Sequence, residues 1–264
     1  MDARGIAVVT GASRGLGRAI AVELARAGFD VVATMRDPAA GAALPAEVGP
    51  GTGSISVARL DVTRPETIIL PEGLRVLVNN AATESAYLPV EATPLDAWRE
   101  VFETNVFGLV EVTRRAVPIM RAGGGGVICN ITSSSLAMSV PFYAVYRASK
   151  AAVETMGETL RAEVGQFGIR VVEILPGPVD TDMLANSARR PEAADHPGYE
   201  AMAQALHEGR MAVDEFTTPA ATAAAAVLAA IVADDGPLRW PCDRLGRDLL
   251  TAWQADPDAC LNAR

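Results

Sequence analysis

Tyr146 and Lys150 stand four residues apart in the stretch YRASK, and Lys150 is the only lysine in a chain whose 23 basic residues are otherwise all arginine. On a helix this spacing puts both side chains on one face. A phenol titrates near ~10 in water and is a weak base at neutral pH. A compact ammonium beside it favours the phenolate and lowers that value, whereas a guanidinium is a broad planar fork. A tyrosine tuned in this way passes a proton to or from an alcohol oxygen. The plain alternative is a surface lysine beside a half-buried tyrosine. Upstream, CNITSSS places Ser133 at the end of an apolar run. A hydroxyl at the carboxyl end of a strand faces the crevice in which open sheets hold ligands. Ser134 and Ser135 read as loop.

A second constellation lies near the start. TGASRGLG, residues 10–17, has glycines at 11, 15 and 17. Glycine at such a turn adopts positive φ and lets the backbone approach a ligand closely. The helix that follows offers free N–H groups and a dipole suited to a phosphate. The spacing is not G-x-G-x-x-G. The same residues also fit G-x-S-x-G, which would make Ser13 a nucleophile with His196 or His207 as its base. That elbow normally follows several strands and an oxyanion loop, and here one strand precedes it.

The elements that must position these groups alternate. Strands are expected at 6–10, 30–35, 54–60, 75–79, 127–131 and 170–175, with a seventh in PLRWPC. Most are apolar on both faces, as in a parallel sheet covered by helices. Helices are expected at 16–27, 95–120, 143–166, 182–208 and 219–233, with one more in the tail. This order predicts an α/β fold: a doubly wound, Rossmann-like parallel sheet of about seven strands, helices on both faces, in a single domain over 1–264. Between Asp61 and Val76 the crossover is short, and Pro65 and Pro71 allow at most two helical turns. Ile68, Ile69 and Leu70 must cover the sheet there.

Composition narrows the function classes. At 264 residues and 50% hydrophobic, the chain is long enough for one large core. A net charge of −9 argues against nucleic-acid and anionic-membrane partners, which call for a basic face. Cys129, Cys242 and Cys260 have no metal-ligand spacing, so no metal is expected. With no apolar leader or membrane-length run, they point to a reducing, cytoplasmic setting. Asn130-Ile131-Thr132 matches a glycosylation sequon but ends an apolar strand, so it reads as chance.

Together these pieces resemble the short-chain dehydrogenase/reductase family, from about Ile6 to Met183 and more weakly beyond. TGASRGLG resembles that family's cofactor turn, and Asp61-Val62 its adenine-contacting pair. Asn79-Asn80-Ala81-Ala82 resembles its N-N-A-G strand end, with Ala82 in place of glycine. Asn105 in ETNVFG falls at the active-site asparagine, and Ser133, Tyr146 and Lys150 at the Ser and Y-x-x-x-K. Pro176-Gly177-Pro178-Val179-Asp180-Thr181 resembles the segment that holds the nicotinamide amide. The resemblance implies hydride exchange between a nicotinamide and a carbonyl or alcohol carbon. It makes Tyr146 the general acid or base and gives Lys150 the ribose hydroxyls and the lowering of the tyrosine pKa. Ser133 would hold the substrate oxygen, and Asn105 would order a water leading from Lys150 to solvent. It assigns cofactor contacts to Gly11, Ser13, Arg14, Gly15, Leu16, Gly17, Arg36, Asp61, Val62, Asn80, Ala81, Tyr146, Lys150, Pro176, Gly177, Val179 and Thr181. A catalytically silent nucleotide-binding regulator is the alternative from another class.

The second strand bears on the choice of nicotinamide. A carboxylate at its end would bind a ribose diol and repel a 2′-phosphate, but the position holds Met35. Arg36 and Arg14 are placed to clamp that phosphate, which favours NADP(H), with NAD(H) as the alternative. Asp37 is the counter-signal. The resemblance implies that the segment 182–215 covers a carbonyl or alcohol substrate. Met183, Leu184, Tyr199 and Met202 would form apolar walls, opposite Leu136, Met138 and Tyr143. That composition suits a hydrophobic molecule of steroid or retinoid shape. His196 and His207 are expected at the surface. By resemblance the chain forms a homodimer or homotetramer through the helices at 95–120 and 143–166.

Overall fold

A computed structural model describes residues 1–49, 53–187, 189–211 and 216–258. Cys260 lies outside them. Seven strands form one parallel sheet: β1 Ile6–Val9, β2 Asp30–Met35, β3 Ser54–Arg59, β4 Leu74–Asn79, β5 Gly126–Ile131, β6 Ile169–Leu175 and β7 Arg239–Pro241. Their order is β3-β2-β1-β4-β5-β6-β7. Strand order reverses direction at β1/β4, and in such sheets the crevice at the carboxyl ends of those strands is where ligands bind.

The apolar runs bury both faces by alternation. Ala7, Val9, Val76, Val78, Val172 and Ile174 face one side, under helices α1 (Gly15–Ala27) and α7 (Ala220–Val232). Val8, Leu77, Ile128 and Val171 face the other, under α3 (Leu109–Ala122) and the end of α4 (Ala144–Val164). Helix α1 stops where Gly28 takes φ 119°, a left-handed value that suits glycine, and its N–H closes on the Ala25 and Leu24 carbonyls. The expected single helix over 95–120 is interrupted. Helix α2 (Leu95–Phe102) passes into a π-helical segment, Glu103–Gly108, before α3 begins.

The expected helix over 182–208 is two helices, α5 (Asp182–Ser187) and α6 (Glu200–Met211). Pro191 and Pro197 lie between them, and the pair Pro197-Gly198 forms a turn in which Gly198 takes φ 87°. The tail forms α8 (Arg244–Ala255). The crossover from β3 to β4 holds one 3-10 turn, Pro65–Thr67. Ile68 is buried there and Leu70 packs beside it, but Ile69 is 82% exposed, so two of the three expected cover residues serve. Arg115 of α3 ties the crossover down by donating to the Pro65 and Ile68 carbonyls, both at 2.8 Å.

A polar row runs across the sheet at one level. Asn79, Asn130, Glu173 and Arg239 are register partners on β4, β5, β6 and β7. Asn79 Nδ2 donates to Thr113 Oγ1 at 3.0 Å and to Asn130 Oδ1 at 2.9 Å. Gly157 of α4 leaves room for the Glu173 carboxyl, which a side chain there would strike. Asn130 is fully buried, in keeping with a chance sequon.

Candidate active site

The carboxyl ends of the strands open into a cleft of about 630 Å³. Every residue assigned a cofactor contact from the sequence lines it, together with Ser133. Asn105 does not.

The glycine turn forms the floor at the β1 end. Gly11 takes φ 65°, and a Cβ on it would lie 2.8 Å from Ala81 Cα. Gly17 has no room for a side chain against Asn80 and the Gly11 carbonyl. Asn80 locks the turn by donating to the Thr10 and Gly11 carbonyls at 2.9 and 3.1 Å, so its amide shapes the cradle and is not free for a ligand. Thr10 Oγ1 accepts from the Asn80 and Ala81 N–H groups at 3.0 and 3.1 Å. Helix α1 starts without a side-chain cap and without an acidic residue in its first turn. Its first N–H groups therefore face the cleft with a positive dipole end, which fits an anionic phosphate.

On the opposite bank α4 presents Tyr146 and Lys150 on one buried face, 7% and 3% exposed. The Lys150 ammonium donates to the Ile131 carbonyl at 2.7 Å and lies 5.6 Å from the centre of the Tyr146 ring. Burial lowers Lys150 to about 8. Burial pushes the Tyr146 phenol above its ordinary value, and the charges of Glu84 and Tyr87 act the same way, while a hydrogen bond with Ser133 opposes them. The expected lowering by Lys150 is absent. Its ammonium is turned toward a carbonyl, and desolvation dominates both groups.

Ser133 caps the turn Ser134–Ala137, accepting from the Ser135 N–H at 3.2 Å, and its Oγ lies 2.8 Å from Ser135 Oγ. Asn105 sits in the π-helical segment, 1% exposed. Its Oδ1 accepts from the Thr83 N–H at 2.8 Å, and its Nδ2 donates to the Thr83 carbonyl at 2.9 Å and to Ser149 Oγ at 3.0 Å. No hydrogen bond joins it to Lys150 among the described residues. A π-helical bulge is a recurrent feature of functional sites, and here its buried Asn105 clamps the segment after β4 to α4.

At the far wall Val62 packs where a Cβ on Gly108 would collide with it. Asp61 Oδ1 accepts from the Thr63 N–H and hydroxyl at 3.0 and 2.8 Å. Met35, at the end of β2, lines the cleft beside the exposed Arg36. Asp37 turns away and accepts from the Ala39 N–H at 3.0 Å. Arg14 is exposed, with Asp182 3.4 Å from it. Asp243, which the sequence reading passed over, is 5% exposed and accepts from the Gly177 and Gly246 N–H groups. It fastens the Pro176–Thr181 segment to α8.

On the remaining side the cleft is walled by Tyr143, Met183, Leu184 and Glu84. Tyr199 and Met202 instead line a separate cavity of about 460 Å³ with Val90 and Phe142, and Leu136 and Met138 are absent from the cleft lining. Neither histidine lines the cleft, which leaves Ser13 without a base; both are half-buried and not fully exposed as expected. Glu84 was missed because it lies outside every motif, one residue beyond Thr83 in a loop.

Residues 5–192 match the short chain dehydrogenase family. The uncharacterized oxidoreductase YusZ of Bacillus subtilis (strain 168) is 38% identical over 191 residues, covering 69% of this chain and 68% of that one. Retinol dehydrogenase 8 of Bos taurus is 35% identical over 207 residues, covering 75% of this chain and 66% of that one. A short chain dehydrogenase from Burkholderia cenocepacia J2315, solved in complex with NADP, is similar in structure with a TM-score of 0.76 and 27% identity, covering 98% of this chain and 97% of that one. The glycine cradle at the switch point, the buried tyrosine and lysine on α4 and these likenesses lead to one conclusion: the chain belongs to the short-chain dehydrogenase/reductase family.

Proposed function

We propose that this chain is an NADP(H)-preferring oxidoreductase acting on a carbonyl/secondary-alcohol pair. The observation that carries the reading is the meeting of Ser133, Tyr146 and Lys150 in the same cleft as the uncapped, glycine-lined start of α1. A nicotinamide bound there would supply or accept the hydride. The α1 N–H groups would hold the diphosphate, and Asp61 and Val62 would flank the adenine. Val179 and Thr181 would fix the nicotinamide amide. Lys150 would hold the ribose hydroxyls.

Ser133 would donate to the substrate oxygen, where negative charge develops in reduction. Tyr146 would deliver the proton to that oxygen. In the oxidative direction the same oxygen would take the proton back. The role of Asn105 is to hold Thr83 and Ser149, and through them the wall of the cleft, in register with α4.

Preference for NADP(H) is supported by the neutral end of β2 at Met35, by Arg36 and Arg14 on the cleft, and by the turning away of Asp37. Tyr143, Met183 and Leu184 support a substrate with an apolar body, as does the likeness to a retinol dehydrogenase. Asp182, Met183 and Leu184, at the start of the segment 182–215, line this side, and the helical stretches 95–120 and 143–166 would pair subunits in a homodimer or homotetramer.

The test is binding and turnover of NADPH and NADH by the purified protein across a panel of ketones and alcohols, with Tyr146→Phe beside it. The expected result is NADPH-dependent reduction that falls at least ~100-fold in the variant while NADPH still binds. Binding of nucleotide without turnover on any of the panel would replace this reading with that of a silent regulator.

A further inference from the structure

The chain has four tyrosines, and three of them form one stack beside the proton-donating oxygen. Tyr143 lies 4.7 Å from Tyr146 between ring centres, at 20°, and 5.1 Å from Tyr87 at 18°. Two of the hydroxyls converge on one atom. Tyr87 Oη donates to Glu84 Oε2 at 2.9 Å and Tyr143 Oη donates to the same oxygen at 3.3 Å. Glu84 Oε1 receives no hydrogen bond from any described residue, and Glu84 lines the cleft. The carboxylate is thus held in place by one oxygen with the other left to accept. Arg210, near the end of α6, sets its guanidinium 4.0 Å from the centre of the Tyr87 ring and 5.6 Å from that of Tyr143. Burial raises the Glu84 carboxyl above its ordinary value, against the opposing pull of the Tyr87 and Tyr143 hydrogen bonds and, least, of the Arg210 charge. Through Tyr143, which bonds Glu84 and stacks on Tyr146, the carboxylate stands one ring away from the reacting phenol.

We propose that Glu84 is the specificity-determining residue of this site, and that it selects a substrate bearing a neutral hydrogen-bond donor near the reacting carbon: a hydroxyketone or the matching diol. This rests on the oxidoreductase reading above. An apolar flank at this position would strip water from Glu84 Oε1 and return nothing. A carboxylate or phosphate would meet like charge. An ammonium is not required, because Arg210 already offsets the charge. A hydroxyl satisfies the open acceptor, and the rest of the substrate lies against Met183 and Leu184. Three stacked rings make the acceptor rigid, which is what discrimination between close analogues demands.

The experiment measures kcat/KM with NADPH for a hydroxyketone, its deoxy counterpart and a keto acid of equal length, using wild type, Glu84→Gln and Glu84→Leu. Wild type should favour the hydroxyketone over the deoxy ketone by at least about 10-fold, with the keto acid poorest. The Leu variant should erase that ratio by losing the hydroxyketone and sparing the deoxy ketone. The Gln variant, which keeps an acceptor oxygen without the charge, should retain part of the ratio and gain on the keto acid. A general loss of packing would lower all three substrates together and leave the ratio unchanged, so an unchanged ratio overturns the proposal. Equal turnover of both ketones by wild type overturns it while leaving the oxidoreductase reading intact. Failure of wild type to reduce any ketone overturns both. Should the Leu variant not fold, the ratio in wild type and the Gln variant decides.

Discussion

Lys150 aims its ammonium at the Ile131 carbonyl, 2.7 Å away across the end of β5, with 3% of its surface exposed. Burial brings its pKa down to about 8 from an ordinary 10.5. A lysine lowered on folding binds fewer protons in the folded state between these values. The buried charge opposes folding in full below about pH 8, and the opposition fades as pH rises toward 10.5. Lys150→Met should therefore raise the melting temperature near neutral pH by about 2–4 °C and lower NADPH-dependent turnover at least ~100-fold. The gain in melting temperature should shrink in alkaline buffer. Melting curves and turnover on the same samples check this, and a methionine variant that keeps its activity would remove Lys150 from the mechanism.

Arg36 sits exposed at the cleft beside a strand end that carries no acid. Arg36→Asp should weaken NADPH and favour NADH, by at least ~10-fold in the ratio of their dissociation constants. Titration of each nucleotide by fluorescence reads the ratio. Equal NADPH affinity in wild type and variant would show that this guanidinium holds no phosphate.

Glu173 is fully buried under α4, and neither of its oxygens has a hydrogen-bond partner among the described residues. Burial raises its pKa to about 8, and the Glu154 charge adds to this while Arg239 opposes it. Arg239 is itself ion-paired with Glu154 and Glu158. A carboxyl raised on folding contributes most below its unfolded pKa, near 4.5, and the contribution is lost as pH climbs to about 8. Stability should fall across that window in wild type. Glu173→Gln should flatten the fall and melt higher than wild type at alkaline pH, as judged by thermal denaturation in a pH series. Parallel curves for the two proteins would mean that the carboxyl finds a partner or a water in solution.

Asp243 joins two N–H groups that belong to different elements, Gly177 after β6 and Gly246 in α8. Asp243→Ala strands both donors and should cost about 1–3 kcal/mol of stability. It should also raise KM for the nucleotide more than it lowers kcat, since the segment it fastens lines the cleft without carrying the proton. Steady-state kinetics with NADPH varied separates the two effects, and an unchanged KM would confine Asp243 to a structural role.

The sheet was legible because its strands are short β-branched runs buried on both faces, and burial of that kind needs no tertiary context to read. The placing of Tyr146 and Lys150 on one face of α4 and the glycine turn were legible for a different reason: each rests on specific residue types at fixed offsets within one element. What was not legible depends on contacts between distant segments. The π-helical bulge at Asn105 leaves the spacing of the sequence unchanged, so 95–120 reads as one helix. The break in 182–208 was written in Pro191, Pro197 and Gly198 but hidden by helical composition on either side. Glu84 gains its meaning from Tyr87, Tyr143 and Arg210, which arrive from three separate segments. The electrostatic expectation for Tyr146 erred because spacing reveals who the neighbours are and says nothing about how much water they lose.

Where most crossovers of this sheet are sealed by a helix, the one leading from β3 to β4 is covered by Ile68 and Leu70 and strapped down by the Arg115 guanidinium. Asp61 and Val62, which form the far bank of the cleft, lie directly upstream of that strap. Arg115, a side chain of α3 outside the cleft lining, thus helps to align this bank, and the shortened loop has passed part of that support to a helix.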